Sequence, residues 1–346
     1  MTPADLVYLA LDSRESPGAV VRRPHSDLDA LPSRKDTSSN LATLDIPGRC
    51  EISELHAAPQ GQWVAVQVNC EDGGFVQVMH ALSGQVRGLD AALGRDSIFL
   101  GWSPTGNELL VKVNAISNSC VYLINVASGK AEQLPVPWTT YNMALSRNGK
   151  RMLYSLTRGL GYGSETWIAD VDGRNAKRVL VDPAHIVAFA RWSPSGDQIA
   201  YIRMSDSNIP FTVGELWVMD GEGNDPVLLG EADAGHGYAP AWSPDGEQIA
   251  FVVRENKSDR AADQRAERLA SNVYLADVGE QTVSNVTQFK AALTESPVWS
   301  LDGEFLAFGS TAGEGMDVWA YAVRGKRLYQ VTRGANARHP TWLPGE

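Results

Sequence analysis

The sequence predicts an all-β fold, a seven-bladed β-propeller of four-stranded antiparallel blades. Three observations predict it. First, a short motif recurs seven times along the 346 residues. Full copies begin at Trp102, Trp192, Trp242 and Trp299 and read Trp-Ser-Pro/Leu-Xaa-Gly. Degenerate copies run Ala57 to Gly61, Leu145 to Gly149 and Trp342 to Gly345. Their glycines lie 42 to 57 residues apart, a period that marks propellers and solenoids. Second, every copy sits in the same local grammar of short β-rich runs and turns. Third, no stretch of helix length within the repeats keeps a 3.6-residue apolar period, which argues against a helical solenoid.

Each element of the repeat follows from its residues. An apolar run leads into the Trp position and supplies the first strand. Ser-Pro-Xaa-Gly then turns the chain, because Pro presets φ and Gly accepts the positive φ that closes the turn. A second strand leaves, as in Leu109 to Val113, Ile199 to Ile202, Ile249 to Val253 and Leu306 to Phe308. A third strand carries an aromatic near its start: Tyr122, Trp167, Trp217, Tyr274 and Trp319. A turn rich in Asp, Asn and Gly follows, as at Asp170 to Asn175. A short fourth strand ends the unit: Arg178 to Leu180, Val227 to Leu229, Val286-Thr287 and Gln330 to Thr332. Four antiparallel strands per repeat describe a propeller blade.

The last copy stops at Gly345-Glu346, where a second strand is due. Leu6 to Leu11 is the candidate to supply it, with Ala19 to Arg22 and Asn40 to Leu44 as the rest of the blade. A blade assembled from both chain ends removes the sheet edges. The alternative is six blades with an irregular N-terminal arm.

The Trp-Ser-Pro-Asp-Gly-x-x-Ile-Ala-Phe pattern at Trp242 to Phe251, the aromatic third strand and the Leu-Thr-like fourth strand resemble the TolB-like propeller repeat, a PD40-type, WD40-like unit. The resemblance covers nearly all of 50–346. Related repeats occur in the propellers of prolyl oligopeptidases. The resemblance implies a bacterial-envelope or complex-associated propeller that binds a protein or peptide. TolB itself carries a further N-terminal α/β domain, and 1–346 reads as a single propeller domain. There is no Gly-x-Ser-x-Gly elbow of the kind the oligopeptidase hydrolase domain requires.

Composition bounds the function. A net charge of −11 and a pI near 5.1 exclude an extended nucleic-acid surface, which needs clustered Lys and Arg. No run of eighteen apolar residues suggests a membrane span. Met1 to Asp5 does not read as a signal peptide, so either a leader was removed or the protein is cytoplasmic; the family resemblance favours the periplasm or exterior. Cys50 and Cys70 flank the Pro59 to Gly61 turn and face each other on a hairpin. A disulfide and two free core thiols both fit that placement. Cys120 reads as a buried free thiol. Nothing in the Cys and His spacing forms a metal site, and no cofactor is called for.

Other motifs have plain readings. Gly159 to Gly163 reads as a glycine-rich hairpin tip rather than a phosphate loop. Asp220 to Asp225 mimics a calcium loop but lacks its Gly and its flanking helices, so it reads as a strand-connecting turn. Asn256 and Asn285 match the glycosylation pattern, which recurs by chance. Glu255 to Ala270 reads as an inserted short helix or hairpin tip, and Pro24 to Ser39 as an irregular loop.

Candidate site residues come from the ring geometry. First strands converge on a central channel, so equivalent offsets from the Trp position converge too. Four residues before it stand Ser53, Ile98, Tyr141, Ala188, Tyr238, Glu295 and Arg338; six before it stand Asp96 and His236. Tyr141, Tyr238, His236, Glu295, Arg338 and Asp96 are therefore the expected binding residues at one channel mouth. The competing reading is that Glu295 pairs with Arg338 and the tyrosines pack the rim. With no nucleophile or paired-carboxylate arrangement visible in the spacing, the sequence favours a non-enzymatic binding module. A hydrolase or lyase at the channel mouth is the alternative.

Overall fold

A computed structural model describes residues 4–11, 18–29, 38–44, 46, 48–89, 96–114, 119–234 and 239–345. Its strands form seven four-stranded antiparallel sheets. The closing blade, VII, combines β1 (Ala4–Ala10), β2 (Gly18–Arg23) and β3 (Ser39–Leu44) with the last strand, β28 (Ala337–Pro344), in the order β28-β1-β2-β3. Leu6 stands opposite Trp342 and Val7 opposite Thr341. The ring is thus closed as the sequence predicts, and the six-blade alternative falls away.

The other blades follow in chain order. Blade I is β4 (Cys50–Ala57), β5 (Trp63–Cys70), β6 (Gly73–His80) and β7 (Val86–Gly88). Blade II is β8 (Ser97–Trp102), β9 (Glu108–Val113), β10 (Cys120–Asn125) and β11 (Ala131–Gln133). Blade III is β12 (Thr140–Leu145), β13 (Arg151–Thr157), β14 (Ser164–Asp170) and β15 (Lys177–Asp182). Blade IV is β16 (His185–Trp192), β17 (Gln198–Ser205), β18 (Val213–Asp220) and β19 (Val227–Asp233). Blade V is β20 (Ala241–Trp242), β21 (Gln248–Arg254), β22 (Ser271–Asp277) and β23 (Thr282–Asn285). Blade VI is β24 (Thr294–Trp299), β25 (Phe305–Ser310), β26 (Asp317–Ala322) and β27 (Arg327–Gln330).

The core lies between blades. Seven apolar clusters fill the seven blade interfaces. Strand alternation sends successive side chains to opposite interfaces. In β9, Leu110 joins the cluster shared with blade III, while Leu109 and Val111 join the one shared with blade I. This is why the second strands read as unbroken apolar runs: both of their faces are buried.

The recurrent motif has a structural reason at each position. The Ser hydroxyl accepts a backbone N–H five residues on, at Glu108, Gln198, Gln248 and Phe305. The Gly N–H closes the turn onto the Ser carbonyl at 106, 196, 246 and 303. Four Trp indoles reach the neighbouring blade: Trp102 donates to His56 O, Trp242 to Arg191 O, Trp299 to Ala241 O and Trp342 to Val298 O, at 2.9 to 3.4 Å. Each acceptor stands just before the preceding blade's own Trp position. The fourth-strand Thr is equally specific. Thr287 and Thr332 accept the N–H of Val273 and Val318, and their hydroxyls donate to Asn272 and to the fully buried Asp317.

Several expectations need adjustment. Cys50 and Cys70 are directly opposed in the β4–β5 register and form a disulfide, settling the open pair. Cys120 is half-exposed rather than buried; it starts β10 opposite Val113, next to the connection from β9. The Pro24 to Ser39 stretch contains a short helix, α1 (His25–Asp29). Burial of Leu28 between blades VI and VII holds this helix, which is too short to form alone. The 255–270 insertion is a series of turns with one 3-10 turn at Ala266–Arg268. The glycine-rich 159–163 segment and the Asp220 turn lie between strands, as expected.

Candidate functional site

The first strands β4, β8, β12, β16, β20, β24 and β28 stand innermost in their blades, at the central channel. They are not regular. Pairing slips at Ile52/Glu54, Phe99/Gly101, Thr140/Asn142, Ala188/Arg191 and Glu295/Val298, and in the closing blade opposite Val7/Leu9. Phe189, Ser296 and His339 occupy left-handed backbone there, at φ 57°, 52° and 53°. Each stands three residues before its Trp position. Such bulges bend a strand and re-aim its side chains.

The bulges decide where the expected residues go. Tyr141 extends to blade IV, where its hydroxyl donates to Val187 O at 2.7 Å. Burial pushes its pKa up to about 12, so it is a neutral rim contact at any ordinary pH. Glu295 is 6% exposed and lies across Gly309, where an added Cβ would stand 3.0 Å from its Cγ. Asp96 has left-handed backbone (φ 74°) and packs on Gly73 at the blade I–II boundary. Arg338 donates to Asn336 at 3.1 Å, while its Nε is buried with no hydrogen-bond partner. His236 and Tyr238 lie outside the described residues. Of the described four, Tyr141 and Asp96 thus reach a neighbouring blade, while these contacts of Glu295 and Arg338 stay within blades VI and VII.

A second group gathers around Arg338. His339 follows it on β28, and Glu54 and His56 on β4 are close enough to act on His339 electrostatically. Glu54 accepts from or shares a proton with His56 Nε2 at 2.6 Å. Burial alone would raise the Glu54 carboxyl, but the His56 contact outweighs it and the pKa is lowered. Burial, reinforced by the Arg338 charge, lowers the His339 pKa to about 4. His56 stacks on Phe99 of the next blade with ring centroids 4.6 Å apart. Among the described residues, this group does not bring three metal-ligand atoms together.

Arg191 adds a cation from β16. Its guanidinium donates to Asn142 Oδ1 at 2.6 Å, Ala190 O at 2.8 Å and Leu100 O at 2.9 Å, spanning blades II to IV. All three acceptors are uncharged. Burial lowers its pKa to about 10, which still leaves it protonated. A buried guanidinium held by neutral oxygens projects positive potential into its surroundings.

Glu54, His56, Arg191 and His339 escape a search at fixed offsets of four and six. A one-residue bulge reverses the in–out alternation beyond it, so the inward offset changes within the strand. Offsets of one and three find all four residues, but the bulge that makes those offsets relevant has no strong sequence mark.

Fold and site define a closed seven-bladed β-propeller with a charged central region. The chain belongs to the TolB beta propeller domain (PD40) family, whose profile matches residues 151–346. A 38-residue stretch is 50% identical to the Tol-Pal system protein TolB of Albidiferax ferrireducens, covering 11% of this chain and 9% of that protein's length. Among solved structures, TolB from Acinetobacter baumannii is similar over 99% of this chain and 83% of its own, with 18% identity and a TM-score of 0.53. An oligogalacturonate lyase in complex with manganese is similar over 96% of this chain and 86% of its own, with 13% identity and a TM-score of 0.60. At these identities the structural likeness establishes the fold. No helix among the described residues is long and apolar enough to cross a membrane.

Proposed function

We propose that this chain is a non-enzymatic binding propeller that receives an acidic or carboxylate-bearing segment of a protein partner at its channel, in the periplasm or another extracytoplasmic space. Residues 1–346 act in this reading as one domain. The observation that carries it is Arg338: a half-buried guanidinium whose Nε has no hydrogen-bond partner, beside His339 and the Glu54–His56 pair. Leaving a buried donor unsatisfied costs free energy, and a ligand oxygen would recover it. Arg191 adds a second cation to the inner strands. The Cys50–Cys70 disulfide supports an oxidising compartment, as does the similarity to a Tol-Pal protein.

Affinity capture from an envelope extract of the source cell tests the reading. Wild-type protein should retain a defined partner. Arg338→Ala should lose at least ~10-fold of that capture, in line with removal of a charged hydrogen bond. Arg265→Ala, in the blade V insertion, should keep it. Capture that survives Arg338→Ala and fails with Arg265→Ala would move the site to the insertion.

A further inference from the structure

We infer that His25, Asp302 and Glu304 form a divalent-metal site that ties the closing blade to blade VI. One ligand atom from each of the three residues lies within 4.8 Å of the others. His25 opens α1, which follows β2 of the closing blade. Asp302 and Glu304 lie in the turn between β24 and β25. Spacing along the chain conceals the group, because its members meet only when the ring closes.

The histidine is held in position. Its Nδ1 lies 3.3 Å from Ala4 O. A carbonyl can only accept, so the ring makes this contact as a donor from Nδ1. Contacts of this kind orient metal-bound imidazoles. The ring stands edge-on to Phe305, with centroids 5.6 Å apart. Its backbone N–H donates to Asp5 at 2.9 Å, and Asp5 forms a buried ion pair with Arg22 at 2.8 Å. On the other side, Asp302 Oδ1 accepts from Ser300 Oγ at 2.6 Å and from Glu304 N at 2.9 Å. Those bonds fix the carboxylate while its second oxygen keeps acceptor capacity.

Blade V supplies an internal comparison. Its turn has the same pair of carboxylates, Asp245 and Glu247, and the same Ser-to-Asp and Asp-to-amide bonds. Yet among the described residues only the blade VI turn forms a group of three with metal-ligand spacing. The difference is His25, brought in by the closing blade. The turn alone accounts for the carboxylates; the histidine makes the ligand set.

One imidazole nitrogen and two carboxylate oxygens suit a borderline divalent ion such as Zn²⁺, with water completing the shell. Calcium prefers six to eight oxygens and fits this set less well. The ion would neutralise two neighbouring carboxylates and cross-link the N-terminal segment to blade VI. A site assembled only in the closed ring stabilises the closed ring.

Calorimetric titration of the chelator-stripped full chain with ZnCl₂, together with thermal unfolding, tests this. One Zn²⁺ should bind per chain and raise Tm. His25→Ala and Glu304→Gln should each weaken binding by at least ~10-fold, since even outer-shell changes reach that size. Glu304 is exposed, so Glu304→Gln keeps the test alive if His25→Ala folds poorly. His80→Ala, on blade I, should bind as wild type does. No saturable Zn²⁺ uptake, uptake unchanged in Glu304→Gln, or loss with His80→Ala alone would each overturn the site.

Discussion

His339 shows what a single bulge residue costs and contributes. It occupies left-handed backbone at φ 53°, a region uncommon outside glycine but one that His, like Asn and Asp, enters more readily than most side chains. It is held there beside Arg338 and Glu54, and burial lowers its pKa from 6.5 to about 4. As pH falls, the unfolded chain therefore takes up the proton first. The stability tied to neutral His339 is complete above pH 6.5 and drains away as pH drops toward 4. Its full size is on the order of 3 kcal/mol. His339→Gln, which cannot titrate, should flatten urea-unfolding stability against pH across that window. A wild-type-like slope in the variant would show that other groups govern the acid response. The four indole bonds between blades belong to the same scale. They explain why Trp recurs where any large apolar residue would fill the space.

The composition of the blade V insertion leaves its form open. Its Ala and charged residues fit a short helix or a hairpin tip, and the chain makes turns between β21 and β22, because a buried side chain organises it from below. Arg254 is 1% exposed and donates to Phe211 O at 3.0 Å, Asp263 at 2.9 Å and Asp259 O at 2.9 Å. Three backbone or carboxylate oxygens from two loops converge on one guanidinium, and that convergence outweighs local helix propensity. Sequence reading finds the insertion but not its pin, since Arg254 looks like an ordinary strand-end charge. Removing it leaves Asp263 paired only with the exposed Arg260 among the described residues and frees the loop, at a cost of ~3 kcal/mol. Arg254→Ala should let trypsin cut after Arg260 and Arg265 at least ~10-fold faster than in wild type, read by mass of the fragments. Equal cleavage rates would mean that the loop holds its shape without the arginine. The same limit applies to the channel. The first strands are plain in the sequence, while the bulges that turn Glu54, His56 and His339 toward one another are not.

At the scale of the molecule, the fold was legible because the repeat writes one packing rule seven times. The motif glycines give the period, the second strands give the buried faces, and the unfinished seventh copy points to the N-terminus. Ring closure then rests on β1. Its Ala4, Leu6 and Tyr8 pack into the cluster shared with blade VI, and its Val7 and Leu9 into the cluster shared with blade I. It also lies between β28 and β2, so without it β28 loses its only hydrogen-bonded neighbour among the described strands. Leu6, Val7 and Leu9 are fully buried, and each contributes ~2 kcal/mol by burial alone. Deleting residues 1–12 should therefore lower stability by at least ~5 kcal/mol, well beyond the effect of trimming a loose tail. Thermal unfolding of the deletion reads the loss. A synthetic peptide of residues 1–12 should restore Tm in a concentration-dependent way, because it binds only the folded ring. An unchanged Tm after deletion, or a peptide without effect on a destabilised ring, would refute closure through β1.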